Sequence, residues 1–194
     1  MSGPVSSSFD LMVPHGKLLA CIELLEEGLQ ALRKTPYHEV LGRDFLHQTD
    51  AAADYLINFH RKASATIDVA AIYFEMNGFT INPNQWHFDA FAYVTAGSIW
   101  ELEWLADWQS DTGGEEFVLT GMETVQKAFA DWYYDQSQPL SVKIAEDLAD
   151  HLVNARFMQL IAAAHGVAKR KYKALNDLPI LATAHDWDTV HQTR

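Results

Sequence analysis

The chain has 194 residues, 48% of them apolar, and a formal net charge of -12. That length supports one domain burying roughly 70% of its unfolded surface, and no uncharged run approaches the ~20 apolar residues of a membrane span. The acidic balance argues against direct nucleic-acid binding, which depends on lysine and arginine neutralising phosphates; the single cysteine, Cys21, and the lack of a signal-like start predict a reducing, cytoplasmic setting.

In chain order, residues 1–16 are rich in Ser, Pro and Gly and read as a loosely ordered lead-in. A globular domain is expected over 17–175, followed by a C-terminal loop and polar tail over 176–194. Leu18, Ile22, Leu25, Leu29 and Leu32 recur at helical spacing with Glu23, Glu26, Glu27 and Gln30 on the other side, which predicts an amphipathic helix ending near Thr35-Pro36. Thr49 or Asp50 can cap a second helix with Ala52, Leu56, Phe59 and Ala63 on its inner face and His60, Arg61 and Lys62 near an exposed end.

From Val69 to Met76, and again from Trp86 to Val94, β-branched and aromatic residues dominate and the second stretch alternates, so both read as strands. Asn77-Gly78 and Asn82-Pro83-Asn84 supply turns between them, too few residues for a parallel crossover, so the pair is expected to be antiparallel. Ser98 with Glu101, and Thr120 with Glu123, have capping-box spacing and predict two further helices, with a short strand over Phe117 to Leu119 between them. The second of these helices is expected to bury Met122, Val125, Phe129 and Trp132. Pro139 opens a long helix that Gly166 is expected to bend or break, and Lys169, Arg170, Lys171 and Lys173 form a basic run suited to a helix C-terminus. The class implied is α+β: a small antiparallel sheet from the central segment with about five helices from both ends packed around it.

Charge is segregated. Between Lys62 and Lys127 there are ten carboxylates and no lysine or arginine. On a helical wheel, Trp100, Trp104 and Trp108 cluster opposite Ile99, Leu102, Leu105 and Ala106. Either another element covers the tryptophans or they form a surface stripe edged by acids. In the second case Trp100, Glu101, Glu103, Trp104, Asp107, Trp108, Asp111, Glu115 and Glu116 make a partner-binding surface, because tryptophan anchors interfaces and a carboxylate rim steers a basic partner.

The chemical motifs are sparse. Asp107, Gln109, Asp111 and Glu115 or Glu116 match part of a calcium loop, but Thr112 stands where that loop needs Gly and Val118 where it needs Glu. His185-Asp186-Trp187-Asp188 with His191, and Asp147 with His151 one helical turn apart, are ligand types without a set spacing. Glu75 and Asp89 on adjacent strands can face one another, with His87 beside Asp89, if the register allows. No phosphate loop, nucleophile elbow or paired-cysteine site is present. The expectation is a non-enzymatic binding protein, without cofactor or metal, that blocks a basic protein partner as an immunity or antitoxin protein blocks a secreted nuclease or other toxin. The alternatives are a small metal-assisted hydrolase using His, Asp and Glu ligands, and a structural adaptor.

Overall fold

A computed structural model of the chain describes residues 17–193 apart from 80, 100, 135, 136, 138, 188 and 189, and excludes the side chains of 132–134. The lead-in, Trp100, Asp188 and the Trp132 side chain therefore lie outside the described residues. The chain adopts the α+β class, with four α-helices and a six-stranded mixed sheet among the described residues.

The sheet grows from β1 (Ala71–Asn77) and β2 (His87–Tyr93), which pair antiparallel as their short connection requires, with Glu75 opposite Asp89. The outer edge of β2 is covered by two short pieces, β3 (Ser110–Asp111) and β4 (Phe117–Val118), both antiparallel to it. On the other side of β1 lies β5 (Ile180–Ala184), parallel to β1, followed by the antiparallel edge strand β6 (His191–Thr193). The segment 176–194, expected to be loop and tail, thus supplies two strands. β5 reads Ile-Leu-Ala-Thr-Ala and is buried at every position, so it lacks the alternation that marks a half-exposed strand.

Alternation in β1 and β2 sorts the two faces. Ile72, Phe74, Met76, Trp86, Phe88, Ala90 and Ala92 point into the main core, where the helices pack. Two of these, α1 (Leu18–Gln30) and α2 (Thr49–Ala63), bury the periodic residues read from sequence, Leu18, Ile22, Leu25 and Leu29 on one and Ala52, Leu56, Phe59 and Ala63 on the other. Each fully buried leucine contributes roughly 1.5–3 kcal/mol. His60 is buried against Tyr172 rather than exposed, because it falls on the inner stripe of α2. The next helix is α3 (Glu123–Tyr134). The central element is α4 (Leu140–Lys171), which packs against α1, α2 and β5 and is accordingly buried around most of its circumference from Ala145 to Ala168. Gly166 does not interrupt it: the helix is held on both sides by buried neighbours such as His165 and Ala168, and a side chain at Gly166 would meet open space.

No α-helix starts at Ser98, and the helix after Thr120 begins only at Glu123. The Thr120 hydroxyl lies 3.0 Å from His47 Nε2, while Glu123 accepts a hydrogen bond from the Gly121 amide at 2.8 Å. The tryptophan-bearing stretch is a five-residue 3₁₀ helix, Leu102–Ala106, with no side-chain cap at Glu101. With three residues per turn, Leu102 and Leu105 eclipse one another, and the 100° wheel that opposed them to the tryptophans does not apply. His165 shows how tightly the far end closes: its ring nitrogens sit 3.1 Å from the Thr193 hydroxyl and 3.0 Å from the Leu175 carbonyl, and burial pushes its pKa down.

Candidate functional site

The second face of the sheet carries Ala71, Tyr73, Tyr93 and Leu181 in a smaller apolar cluster, joined by Val190 and packed against Ile99, Leu102, Trp104 and Leu105. The acidic segment is thus strapped across the sheet. The Tyr93 hydroxyl donates to the Leu105 carbonyl at 2.8 Å, and the Trp104 ring meets Tyr93 edge to face at 4.8 Å. The Trp104 indole N–H donates to the Ser98 carbonyl at 2.9 Å. A Cβ at Gly97 would overlap the same indole, so glycine is what allows the chain to cross so close to the ring.

The sequence-selected residues divide accordingly. Trp104 is half-buried and turned to the sheet, whereas Trp108 is 46% exposed, its ring edge-on to Phe91 at 5.2 Å. Glu101, Glu103, Asp107, Asp111, Glu115 and Glu116 are all exposed. Among the described residues only Glu115 of these six forms an ion pair, with Lys62 at 3.1 Å, and Asp111 accepts the Gly113 amide at 2.9 Å. The negative charge along 101–116 is therefore largely uncompensated by neighbouring cations, a condition in which long-range steering of a basic partner is strongest at low salt.

Beside this strap opens a cleft of about 490 Å³, with Tyr73, Glu75, Phe91 and Thr183 in its floor, Leu102, Leu105 and Trp108 on one wall, and His185–Trp187 on the other. Its volume lies within the range of small-ligand sites. Glu75 is the polar centre: Oε2 accepts the Tyr73 hydroxyl at 2.9 Å, and Oε1 lies 2.8 Å from His185 Nδ1. That hydrogen bond, with the charges of Glu75 and Asp186, raises the His185 pKa, while burial and the Glu75 carboxylate raise that of Tyr73. The histidine contributes stability below the ordinary histidine pKa that fades as pH rises through its raised value.

Glu75 and Asp89 do stand opposite one another, but each is satisfied by its own donors. Asp89 accepts Asn77 Nδ2 at 2.8 Å and the Thr112 hydroxyl at 2.9 Å, with His87 Nε2 3.7 Å away. The partner of Glu75 is instead His185, 110 residues downstream. That pairing had no local signal, since it arises only because β5 lies beside β1 and delivers residue 185 to the end of the strand pair.

The histidines considered as metal ligands are dispersed. His191 is buried in β6, His151 packs edge-on against Trp187 at 4.4 Å, and His185 belongs to the cleft. Among the described residues no group of three or more His, Cys, Asp or Glu is placed to hold a metal ion. No helix among them is long and apolar enough to cross a membrane. No family model, curated protein or solved structure matches the chain.

Proposed function

We propose that this chain is a binding protein, acting in the cytoplasm, that blocks a basic protein partner in the manner of an immunity or antitoxin protein neutralising a toxin. The observation that carries this reading is the exposure of Glu101, Glu103, Asp107 and Asp111 along the segment that bears exposed Trp108 and is tied to the sheet by Tyr93 and Trp104; Glu115 and Glu116 stand apart from it, beside Tyr55 and Lys62 of α2. Trp108 is the anchor, Trp104 is the support that fixes the strap, and Glu103, Asp107 and Asp111 form the rim. A rigid aromatic flanked by unpaired carboxylates loses little side-chain freedom on binding and supplies both contact area and steering.

The Glu75–His185 pair favours a second reading, a small hydrolase in which Glu75 orients the imidazole and His185 acts as general base in the cleft. Affinity purification of the chain, followed by hydrogen exchange with any basic protein it retains, separates the two; recovery of no basic protein counts against the binding reading. Protection over 101–111 is expected for the binding reading. Protection confined to the exposed faces of α1 and α4 overturns it, and hydrolytic turnover lost in His185→Ala replaces it with the second.

A further inference from the structure

The turn 185–187 separates the cleft from a second cavity, of about 210 Å³, on the helix side of the sheet end. Phe79, Phe129, Trp187 and the His185 imidazole line it, together with the carboxyl groups of Glu146, Asp150 and Asp186. Phe79 and Phe129 meet edge to face at 5.0 Å. Two further observations single the place out. Asp150 lines the cavity, and its Oδ1, closed to solvent, has no hydrogen-bond partner among the described residues, a shortfall that a donor entering beside it would relieve. In addition, Phe79 (φ 52°) and Asp186 (φ 61°), the two non-glycine residues with left-handed backbone among the described residues, both line this one cavity. Aspartate adopts this conformation readily, but for a bulky residue such as Phe79 it is uncommon and concentrates at functional sites.

We propose that this cavity binds an alkylammonium group, carried either by a free primary amine or by a lysine side chain. An ammonium head offers three donors and no acceptor, which suits an unpartnered carboxylate oxygen, and ring faces attract a cation through their quadrupoles. Three carboxyl groups disfavour an anion, and the one basic side chain among the lining residues, His185, is already paired with Glu75. The carboxyl groups are not grouped as metal ligands among the described residues, which favours an organic cation with an apolar stem over a metal ion. Burial, then the charges of Glu146 and Asp147, push the Asp150 carboxyl up to about 8, so an arriving cation restores a charge that the cavity otherwise suppresses. The inference is independent of the acidic strap, which lies on the other face of the sheet.

The test is titration of the full chain with n-butylammonium chloride, followed through the Trp187 indole N–H resonance, assigned with Trp187→Phe. Controls are n-butanol, Nα-acetyl-lysine N-methylamide and the Asp150→Asn variant. A saturable shift with butylammonium but not with butanol, weakened about tenfold or more in Asp150→Asn, is expected for loss of one charge-assisted contact. A matching response to the capped lysine assigns the site to a protein side chain, and its absence assigns it to a free amine. The proposal is overturned if butanol shifts Trp187 equally, if Asp150→Asn binds as the wild type does, or if neither cation gives a saturable shift. Asparagine fills the same space without a buried charge, so loss of binding in this variant does not reduce to loss of fold.

Discussion

Asp150→Asn is expected to stabilise the protein above neutral pH, against the usual tendency of substitutions to destabilise. In the folded state the Asp150 carboxyl is pushed up to about 8 from the ordinary 3.8, first by burial and then by Glu146 and Asp147. Between those values the folded chain holds a proton that the unfolded chain has released. The stability associated with the neutral carboxyl is fully present below pH 3.8 and is lost as pH rises toward about 8. The rate of loss is roughly 1.4 kcal/mol per pH unit across that window. Asparagine does not titrate, so its advantage over the wild type should grow from pH 5 to pH 8 and then level off. Urea unfolding of both proteins across this range measures the difference directly. His60 and His165, whose pKa values burial lowers, weaken both proteins alike as pH falls below the ordinary histidine value, and they cancel in the comparison. An advantage of equal size at pH 5 and pH 8.5 would show that Asp150 does not titrate in this way.

The second large effect is expected at Phe88. Its ring stacks on Phe117 at 4.7 Å and meets Phe74, Tyr55 and Phe157 at 5.4, 5.4 and 5.5 Å. Phe88 therefore joins β4, β1, α2 and α4 through one side chain, and its backbone pairs with Phe117 in the sheet. Phe88→Ala should cost about 3–5 kcal/mol, the transfer free energy of the ring plus the cavity left in a packed interior. Because β4 is only two residues long, loss of the stacked ring should also loosen the 110–118 edge and with it Glu115 and Glu116. A fall in the urea midpoint equivalent to less than about 1 kcal/mol would mean that the surrounding rings collapse into the space, contrary to the close packing of this cluster.

The parts of this fold that were legible in sequence are those where a single local rule governs. In α1 and α2 the apolar period of Leu18 to Leu29 and of Ala52 to Ala63 faces one core, and the structure buries those residues. The β1–β2 pairing followed from a short connection. Elements shaped by distant partners were not legible. β5 carries two alanines and is covered on both faces, so neither propensity nor alternation marks it. The 102–106 turn becomes 3₁₀ because Leu102, Trp104 and Leu105 must all reach the same sheet face, and tertiary packing overrides the local helix signal. For the candidate site, the acidic rim was visible as a run without cations, whereas the cleft required knowing that β5 brings His185 to Glu75 and that Trp104 turns inward while Trp108 does not.

Association kinetics report whether the strap over 101–111 captures a basic partner. The proposed partner is a basic protein retained on affinity purification of the chain, and the comparison is between wild type and the triple variant Glu103→Lys, Asp107→Lys and Asp111→Lys. All three positions are exposed, and among the described residues none of them forms an ion pair; the hydrogen bond from the Gly113 amide that Asp111→Lys removes lies in an exposed turn, so the substitutions should spare the fold. Reversal of the rim charge should slow association by about tenfold or more at low salt and flatten its dependence on ionic strength. An association rate in the triple variant equal to that of the wild type at low salt would show that this rim does not steer a partner.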